Sequence, residues 1–276
     1  MSPDISVVVS TFRRPAQLAR AVRSALEQHD VEVELLVVDD CPDASARGAT
    51  ESFRDARVRY LRMPQPSGRR PARVRNCGWP RGSAPIVHFL DDDDLVVPGA
   101  YKRMLDAFHA SPDRGVVFGR VEPFGDDPSV VARERALFEH AYRRARLARR
   151  IGSRHFMVAN VLFLHSFLIT SACMIRRECL DALGGYDPDI AVVEDLDLYA
   201  HAIRRFGCVF LDEVVLDYRI SNDSLIHSCA HRPVIEAAYR RMHERYRDAW
   251  GAAELIAMKL LARGPLRAWD ELTSSA

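Results

Sequence analysis

Two hydrophobic periods alternate along the first half of the chain. Apolar, largely β-branched runs without helical spacing predict strands, and the segments between them repeat apolar residues every three or four positions, as helices do. The predicted strands are Ile5–Val9, Val33–Val38, Val58–Leu61, Pro85–Leu90 and Gly115–Gly119. One predicted helix begins at Pro15, and three others cover Ala44–Arg54, Pro71–Trp79 and Pro98–Ala110. This alternation predicts an α/β fold whose strands pair in parallel through right-handed crossovers.

The second half is less regular. We expect a basic helix, a core helix over the apolar segment 156–169, a strand, a helical turn, a helix opened by Glu194-Asp195, two short strands and a mostly helical C-terminal arm. In chain order these are Arg133–Ile151, Phe156–Ile169, Ile169–Ile175, Arg176–Leu183, Val192–Phe206, Val209–Leu211, Val214–Tyr218 and Pro233–Ala262. Gly207 is placed to end the Glu194-Asp195 helix.

Polar and acidic side chains follow three of the predicted strands. They are Ser10-Thr11, Asp39-Asp40 and the tetrad Asp91–Asp94. In open parallel sheets ligands bind beyond the carboxyl ends of the strands, so we expect the three groups to meet at one rim. A solvated acidic loop before a helix starting near Pro98 is the plainer alternative for the tetrad.

The tetrad itself suggests a metal site. Crowded carboxylates raise one another's pKa, and a cation relieves that repulsion. Mg²⁺ and Mn²⁺ prefer oxygen ligands and commonly bridge one or two carboxylates to substrate phosphates. The first hypothesis is therefore a metal–diphosphate site at the carboxyl end of the strand.

Composition narrows the class of protein. The chain has 276 residues, enough for one large α/β domain with a small appendage, and a net charge of +1 that gives no global attraction to nucleic acid. Its six cysteines form no CxxC pair, and a reducing cytoplasm is the simplest expectation. No apolar stretch reaches the ~18–20 residues that span a bilayer. Because Met1–Asp4 leads straight into a strand, we expect no signal peptide.

Seven segments together carry a family resemblance. In order they read VVVSTFRRP, LLVVDDCPD, ARVRNCG, HFLDDDDLVVPGAY, CMIRRECLDALGGYDP, EDLDLYAHAIRRFG and YRISNDSLIH, and they span about residues 5 to 227. The chain resembles a family 2 glycosyltransferase of the GT-A fold. The resemblance implies a Rossmann-like, mostly parallel sheet flanked by helices in residues 1–227, with a nucleotide-sugar-binding half (1–120), an acceptor and catalytic half (121–227) and a helical extension (228–276).

The resemblance also implies a reaction. A nucleotide-sugar donor, with a UDP-sugar favoured, would transfer its sugar to an acceptor hydroxyl with inversion, aided by Mn²⁺ or Mg²⁺. Thr11 and Asp40 resemble the positions that hold the nucleoside, and Asp40 the group that bonds uracil or ribose. Phe12 stands where an aromatic ring packs near the base. The resemblance places three arginines with the donor-binding residues: Arg14, Arg75 and, as the alternative to Arg75, Arg73.

Five further residues complete the implied site. Asp91 and Asp93 are the outer members of a DxD motif, with Asp93 the first choice for a direct metal ligand and Asp92 close to the ribose. Asp195 resembles the catalytic base, and His227 a residue near the diphosphate or the metal. A base on the face opposite the leaving group suits single displacement, and a helix N-terminus favours an ionised carboxylate there.

The sequence departs from the family pattern in two places. Cys41-Pro42-Asp43 stands where Asp-Gly-Ser often follows the paired aspartates, and Val74-Arg75-Asn76 replaces Ala-Arg-Asn. Arg69, Arg70 and Arg73 crowd the preceding loop. These differences bear on donor identity more than on the fold.

Two alternatives stay open beside the glycosyltransferase. A nucleotidyltransferase shares a nucleotide-binding half but usually carries a Gly-rich loop after the first strand, which Ser10–Arg14 lacks. The other is a non-catalytic nucleotide-sugar-binding protein. The acceptor stays open as a saccharide, a lipid-linked molecule or a small molecule, with its pocket expected to be shaped by residues 126–167 and 228–276. The Arg-rich arm could contact an anionic membrane peripherally, or pack within the protein or a homodimer.

Overall fold

The computed structural model of the protein describes residues 2–164, 168–220 and 232–274. The strands are β1 (Ile5–Thr11), β2 (Val33–Asp39), β3 (Val58–Arg62), β4 (Ile86–Asp91), β5 (Leu95–Val96), β6 (Val116–Gly125), β7 (Cys173–Arg176) and β8 (Cys208–Ile220). The helices are α1 (Pro15–Leu26), α2 (Arg47–Glu51), α3 (Pro71–Gly78), α4 (Ala100–Ala110), α5 (Pro128–Ile151), α6 (Arg154–Phe163), α7 (Arg177–Leu183), α8 (Glu194–Phe206), α9 (Arg232–Trp250), α10 (Ala252–Leu261) and α11 (Arg267–Ser274).

One sheet of eight strands organises the described chain, in the order β3-β2-β1-β4-β7-β6-β8-β5. β1 pairs in parallel with β2 and β4, β2 with β3, and β6 with β8. The other pairings, β4-β7, β6-β7 and β5-β8, are antiparallel. The prediction of a mostly parallel α/β sheet flanked by helices is confirmed. In the register Thr11 lies beside Asp39 and Ser10 beside Asp91, so the three predicted strand ends do share one edge.

The structure corrects several predicted boundaries. The helix predicted over Ala44–Arg54 shrinks to α2, because Ala44 and Arg54 both adopt positive φ, 51° and 49°, which a right-handed helix excludes. The helix after the tetrad begins at Ala100 rather than near Pro98, since Gly99 has φ 74°. The two short strands predicted over 209–218 are one strand, β8, whose register against β6 shifts around Arg120.

Other strands also differ from the pattern. The strand predicted over Ile169–Ile175 starts only at Cys173, after a 3₁₀ turn at Thr170–Ala172. β5 was not predicted, because two residues carry no period, and it exists by pairing with Leu216 and Asp217 of β8. The antiparallel entry of β7 beside β4 likewise depends on a partner distant in sequence.

The core lies on both faces of the sheet. β1, β2 and β4 are almost wholly inaccessible to solvent, as expected for parallel strands covered on both faces. α3 approaches β1 and β2 so closely that a Cβ on Gly78 would overlap Val8 and come within 2.9 Å of Val38. This close approach sets the position of α3, which carries Arg75.

The C-terminal helices pack on the sheet domain. α9 buries Ala238, Met242 and Tyr246, spaced at four residues, and α10 leaves Ile256 and Leu260 exposed. Across the ranges that the structure describes, no helix is both long enough and apolar enough to cross a bilayer. Peripheral membrane contact, a homodimer and the division at residue 227 stay predictions.

We expect Gly78→Ala to lower the free energy of unfolding by about 1–3 kcal/mol, because the added methyl overpacks the contact between α3 and the sheet. Gly48→Ala is the matched control, since a Cβ there meets nothing within 4 Å and alanine favours a helix by about 0.5–1 kcal/mol. Urea unfolding followed by circular dichroism measures both variants. Equal stability of the two variants would contradict the close packing of α3.

Candidate active site

The three strand ends open onto one cleft of about 410 Å³. Thr11 and Phe12 after β1, Asp40 after β2 and Asp91–Asp94 after β4 line it. The loop 191–195 before and at the start of α8 closes the opposite side, together with Tyr218–Ile220 of β8. Seven carboxylates and five arginines line the cleft among the described residues, so its lining carries excess negative charge.

Thr11 and Arg14 connect the carboxyl end of β1 to the tetrad through hydrogen bonds. Thr11 Oγ1 donates to Asp92 Oδ2 at 2.6 Å. Arg14 Nη1 donates to Asp93 Oδ2 at 2.7 Å and to Asp92 Oδ1 at 3.3 Å. Burial raises the pKa of Asp92 to about 6, although Thr11 and Arg14 oppose that shift. These contacts hold Asp92 in place and leave Phe12 exposed over the cleft.

Arg75 joins the tetrad to the start of α8. Its Nη2 donates to Asp91 Oδ1 at 2.9 Å and its Nη1 to Glu194 Oε1 at 2.5 Å, while the guanidinium lies over the ring of Tyr186. Only 6% of the Arg75 side chain is exposed. Burial opposes its charge, but Asp91, Tyr186 and Glu194 raise the pKa of Arg75 well above the ordinary value. Arg75 is therefore a fixed cation that joins Asp91, 16 residues away in sequence, to Glu194, 119 residues away.

The four aspartates of the tetrad lie in four different environments. Asp91 and Asp93 keep 36% and 19% of their side chains exposed. Asp92 is held by Thr11 and Arg14, and Asp94 turns inward, where Oδ1 accepts a hydrogen bond from the Arg219 amide at 2.9 Å. Burial and then the neighbouring aspartates raise the pKa of Asp94 well above its usual range. Only the outer two members of the motif thus offer carboxylate oxygens to the cleft.

The paired aspartates after β2 differ in the same way. Asp39 is buried and structural: it accepts hydrogen bonds from the amides of Cys41 and Ala46 and from the Tyr60 hydroxyl. Asp40 faces the cleft, where Ser67 donates to its two oxygens from the amide and the hydroxyl, each at 2.6 Å. The second carboxylate of the pair is the one available to a ligand.

Asp195 lies in the first turn of α8 and lines the cleft. Its Oδ1 accepts from the Leu196 amide at 2.8 Å, and burial raises its pKa against the opposing charge of Arg75. The preceding Val193 has φ 57°, a left-handed conformation that is strained for a β-branched residue. Strain of this kind is found at functional sites, where surrounding contacts hold it.

The donor set suits a hard divalent cation. In the described ranges no three His, Cys, Asp or Glu side chains converge on a ready-made metal cluster. Mg²⁺ and Mn²⁺, however, usually take one or two protein carboxylates and complete their shell with phosphate and water. Asp91 and Asp93, the two tetrad members open to the cleft, meet that requirement.

The cleft gathers most of the residues predicted from sequence: Thr11, Phe12, Arg14, Asp40, Arg75, Asp91, Asp92, Asp93 and Asp195. Arg73 does not line it; its Nε donates outward to the Pro188 carbonyl at 3.4 Å. His227 lies outside the described residues. The sequence carries no signal for Ser67, and local spacing does not reveal Glu194 as the partner of Arg75.

Comparison with known sequences identifies the family. The sequence model of Glycosyl transferase family 2 matches residues 6–184, more than half of the chain. The succinoglycan biosynthesis protein ExoO of Rhizobium meliloti is 30% identical over 210 residues, 74% of this chain and 57% of that protein. The GalNAc(5)-diNAcBac-PP-undecaprenol β-1,3-glucosyltransferase of Campylobacter jejuni is 30% identical over 105 residues, 37% of this chain and 34% of that protein. The chain thus spans less than two thirds of these relatives.

Solved structures share the fold. TarS 1–349 of S. aureus, in complex with UDP-GlcNAc, superposes with a TM-score of 0.65 over 95% of this chain and 70% of that one, at 15% identity. The mannosyltransferase PcManGT of Pyrobaculum calidifontis, in complex with GDP-Man and Mn²⁺, gives 0.57 over 100% and 80%, at 16% identity. The predicted GT-A fold and family 2 resemblance are confirmed: the chain belongs to glycosyl transferase family 2.

Proposed function

We propose that the protein transfers a sugar from a nucleotide-diphosphate sugar to an acceptor hydroxyl with inversion, using Asp195 as the general base. The observation that carries this proposal is the single cleft that brings Asp91 and Asp93 into the same space as Asp195. A cation-binding carboxylate pair and a separate base are the two parts that displacement of a diphosphate by a hydroxyl requires.

The donor would bind along the strand ends. Thr11, Asp40 and the exposed Phe12 line the side of the cleft proposed for the nucleoside, and Asp92 is proposed to lie near the ribose. A UDP-sugar is supported by TarS, solved with UDP-GlcNAc, while the GDP-Man complex of PcManGT makes a guanine donor the competing candidate. The acceptor class stays open between a saccharide, a lipid-linked molecule and a small molecule.

The reaction would proceed in one displacement. Asp195 accepts the proton of the acceptor hydroxyl while the hydroxyl oxygen attacks the anomeric carbon. The bond from that carbon to the diphosphate oxygen breaks on the opposite face. A pKa raised by burial brings the Asp195 carboxylate nearer to the working pH of a base. Mn²⁺ or Mg²⁺ held by Asp91 and Asp93, with His227 as a further proposed ligand, would act as a Lewis acid that neutralises the leaving diphosphate.

The cleft arginines would divide the remaining work. Arg75 is engaged with Asp91 and Glu194, so we assign it the positioning of these carboxylates rather than a free donor contact. Arg69 lines the cleft and forms no ion pair with a carboxylate within the described part of the chain. Arg69 is available to an anionic group of the donor, as is Arg70, which also lines the cleft and donates to the Asp189 carbonyl rather than to a carboxylate. Arg73, directed at Pro188, is the weaker candidate.

Asp93→Ala tests the cation site. In the wild-type protein, a UDP-sugar at 100 times its dissociation constant with Mn²⁺ should stabilise the fold by about 2.7 kcal/mol, seen as a rise in melting temperature. In the wild type, EDTA should remove the metal-dependent part of this rise. Asp93→Ala should lack that part even without EDTA, because one open carboxylate is missing. A panel of UDP, GDP, dTDP and CDP conjugates identifies the base.

Asp106→Ala is the control, since Asp106 is an exposed residue of α4 whose one ion-pair partner among the described residues is Lys102. If calorimetry in Mn²⁺ shows that Asp93→Ala binds the donor with wild-type affinity, Asp93 is not a ligand of the metal site. A panel without any shift in the wild-type protein would favour the non-catalytic alternative or a site that needs its acceptor first.

Asp195→Asn tests the base. We expect kcat to fall about 10²- to 10⁴-fold, the usual contribution of a general base, with donor affinity retained. Nucleoside diphosphate released from the donor identified by the panel measures turnover, and calorimetry measures binding. Release of pyrophosphate instead would support nucleotidyl transfer. Asp106→Asn is the matched control, and near wild-type turnover of Asp195→Asn would exclude Asp195 as the base.

A further inference from the structure

One arginine of the C-terminal arm contacts both ends of the segment that carries Asp195. Arg245 Nη1, on α9, lies 2.5 Å from Asp197 Oδ2 and 3.2 Å from Asp187 Oδ2. The two carboxylate side chains are 2% and 6% exposed. Buried carboxylates persist when a cation pairs with them, so this contact differs from an exposed surface salt bridge.

Between these two aspartates the backbone is strained and functional. Residues 191–195 line the cleft, and Val193 holds φ 57° immediately before α8 begins. A β-branched residue keeps such a conformation only where the surrounding structure over-determines it. Arg245 supplies a constraint on each side of Val193, six residues before it and four after it.

Other contacts hold the same segment from α3. Arg70 Nη1, just before α3, donates to the Asp189 carbonyl at 3.1 Å. Asn76 Nδ2 donates to the Tyr186 carbonyl at 2.8 Å, and Asn76 Oδ1 accepts from the Tyr186 amide at 3.0 Å. Arg241 of α9 binds Asp187 and Asp189 and therefore only the first end. In the described part of the chain, Arg245 is the arginine that reaches both ends through one nitrogen.

We propose that Arg245 is a positioning residue for Asp195: by bridging Asp187 and Asp197 it fixes the strained turn that aims the base into the cleft. The part of this proposal that concerns turnover rests on the proposed function. The C-terminal helix α9 is then a component of the catalytic frame.

Arg245→Met and Arg245→Lys separate positioning from packing. Methionine keeps the length and apolar stem but removes both contacts. A lysine ammonium can restore them, because a single nitrogen makes both in the native protein. Arg247→Met is the matched control, since Arg247 lies on the same helix and, in the ranges that the structure describes, pairs with the neighbouring Asp248 alone.

Hydrogen exchange reads the segment directly and needs no substrate. We expect amides of residues 190–197 to exchange at least about tenfold faster in Arg245→Met than in the wild type, with Arg245→Lys and Arg247→Met close to the wild type. Unchanged exchange in Arg245→Met would overturn the bridge. This result is independent of whether any nucleotide binds.

Turnover then tests positioning. With the donor found by the thermal-shift panel, kcat of Arg245→Met should fall about 10- to 100-fold while the donor KM stays within a factor of about two, and Arg245→Lys should recover most of kcat. Faster exchange with wild-type kcat would overturn the positioning role. If the wild-type protein shows no sugar transfer with any donor and acceptor, the proposed function fails while the exchange experiment still decides the bridge.

A second variant covers a failure of Arg245→Met to fold. Burial raises the pKa of Asp197 to about 7, so this carboxyl readily accepts a proton when its cation is removed. Arg245→Met/Asp197→Asn goes further and removes the charge of Asp197, while Asp187 keeps its salt bridge to Arg241. It should fold, yet show the same faster exchange and lower kcat, because the link across Val193 is still missing; wild-type exchange in it would overturn the proposal.

Discussion

The cleft depends on one buried guanidinium. Arg75 lies between Asp91 at the end of β4 and Glu194 at the start of α8, with almost no exposure to solvent. Removing one member of a buried ion group leaves an uncompensated charge, which is far costlier than the group is stabilising. The three residues are therefore mutually required, and together they fix the distance across the cleft between the tetrad and the segment that carries Asp195.

The excess of acidic side chains in the cleft results from the way the fold groups them, not from the overall composition of the chain. Arg75 forms salt bridges with two carboxylates, and Arg14 forms salt bridges with two more, Asp92 and Asp93. Burial, and then the neighbouring carboxylates, raise the pKa of Asp92, Asp93 and Asp195, and the charges of Arg14 and Arg75 oppose these shifts only in part. A divalent cation arriving with a diphosphate would complete this balance, which is why an acidic cleft suits an anionic donor.

The sequence predicted those parts of the site that depend on local pattern. Asp40 and Asp91–Asp94 follow apolar runs, and the rule for parallel strands brings their ends together without knowledge of a partner. The sequence predicts Glu194-Asp195 as the start of a helix, but the role of Asp195 as a base comes from the family resemblance. The pairing of Glu194 with Arg75, the bonds from Ser67 to Asp40 and the antiparallel entry of β7 were beyond reach, because each depends on a partner that no local period encodes.

The same distinction explains the second half of the chain. Its strand and helix periods are weaker because β7 and β8 take their positions from β4 and β6. The loop before α8 has no period at all; Val193 adopts a conformation that its own side chain disfavours. A conformation that local preference opposes must be imposed by tertiary contacts, here from α3 on one side and from α9 on the other. The least predictable segment is thus the one on which the placement of Asp195 depends, and the arm that looked like an appendage in the sequence supplies part of that constraint.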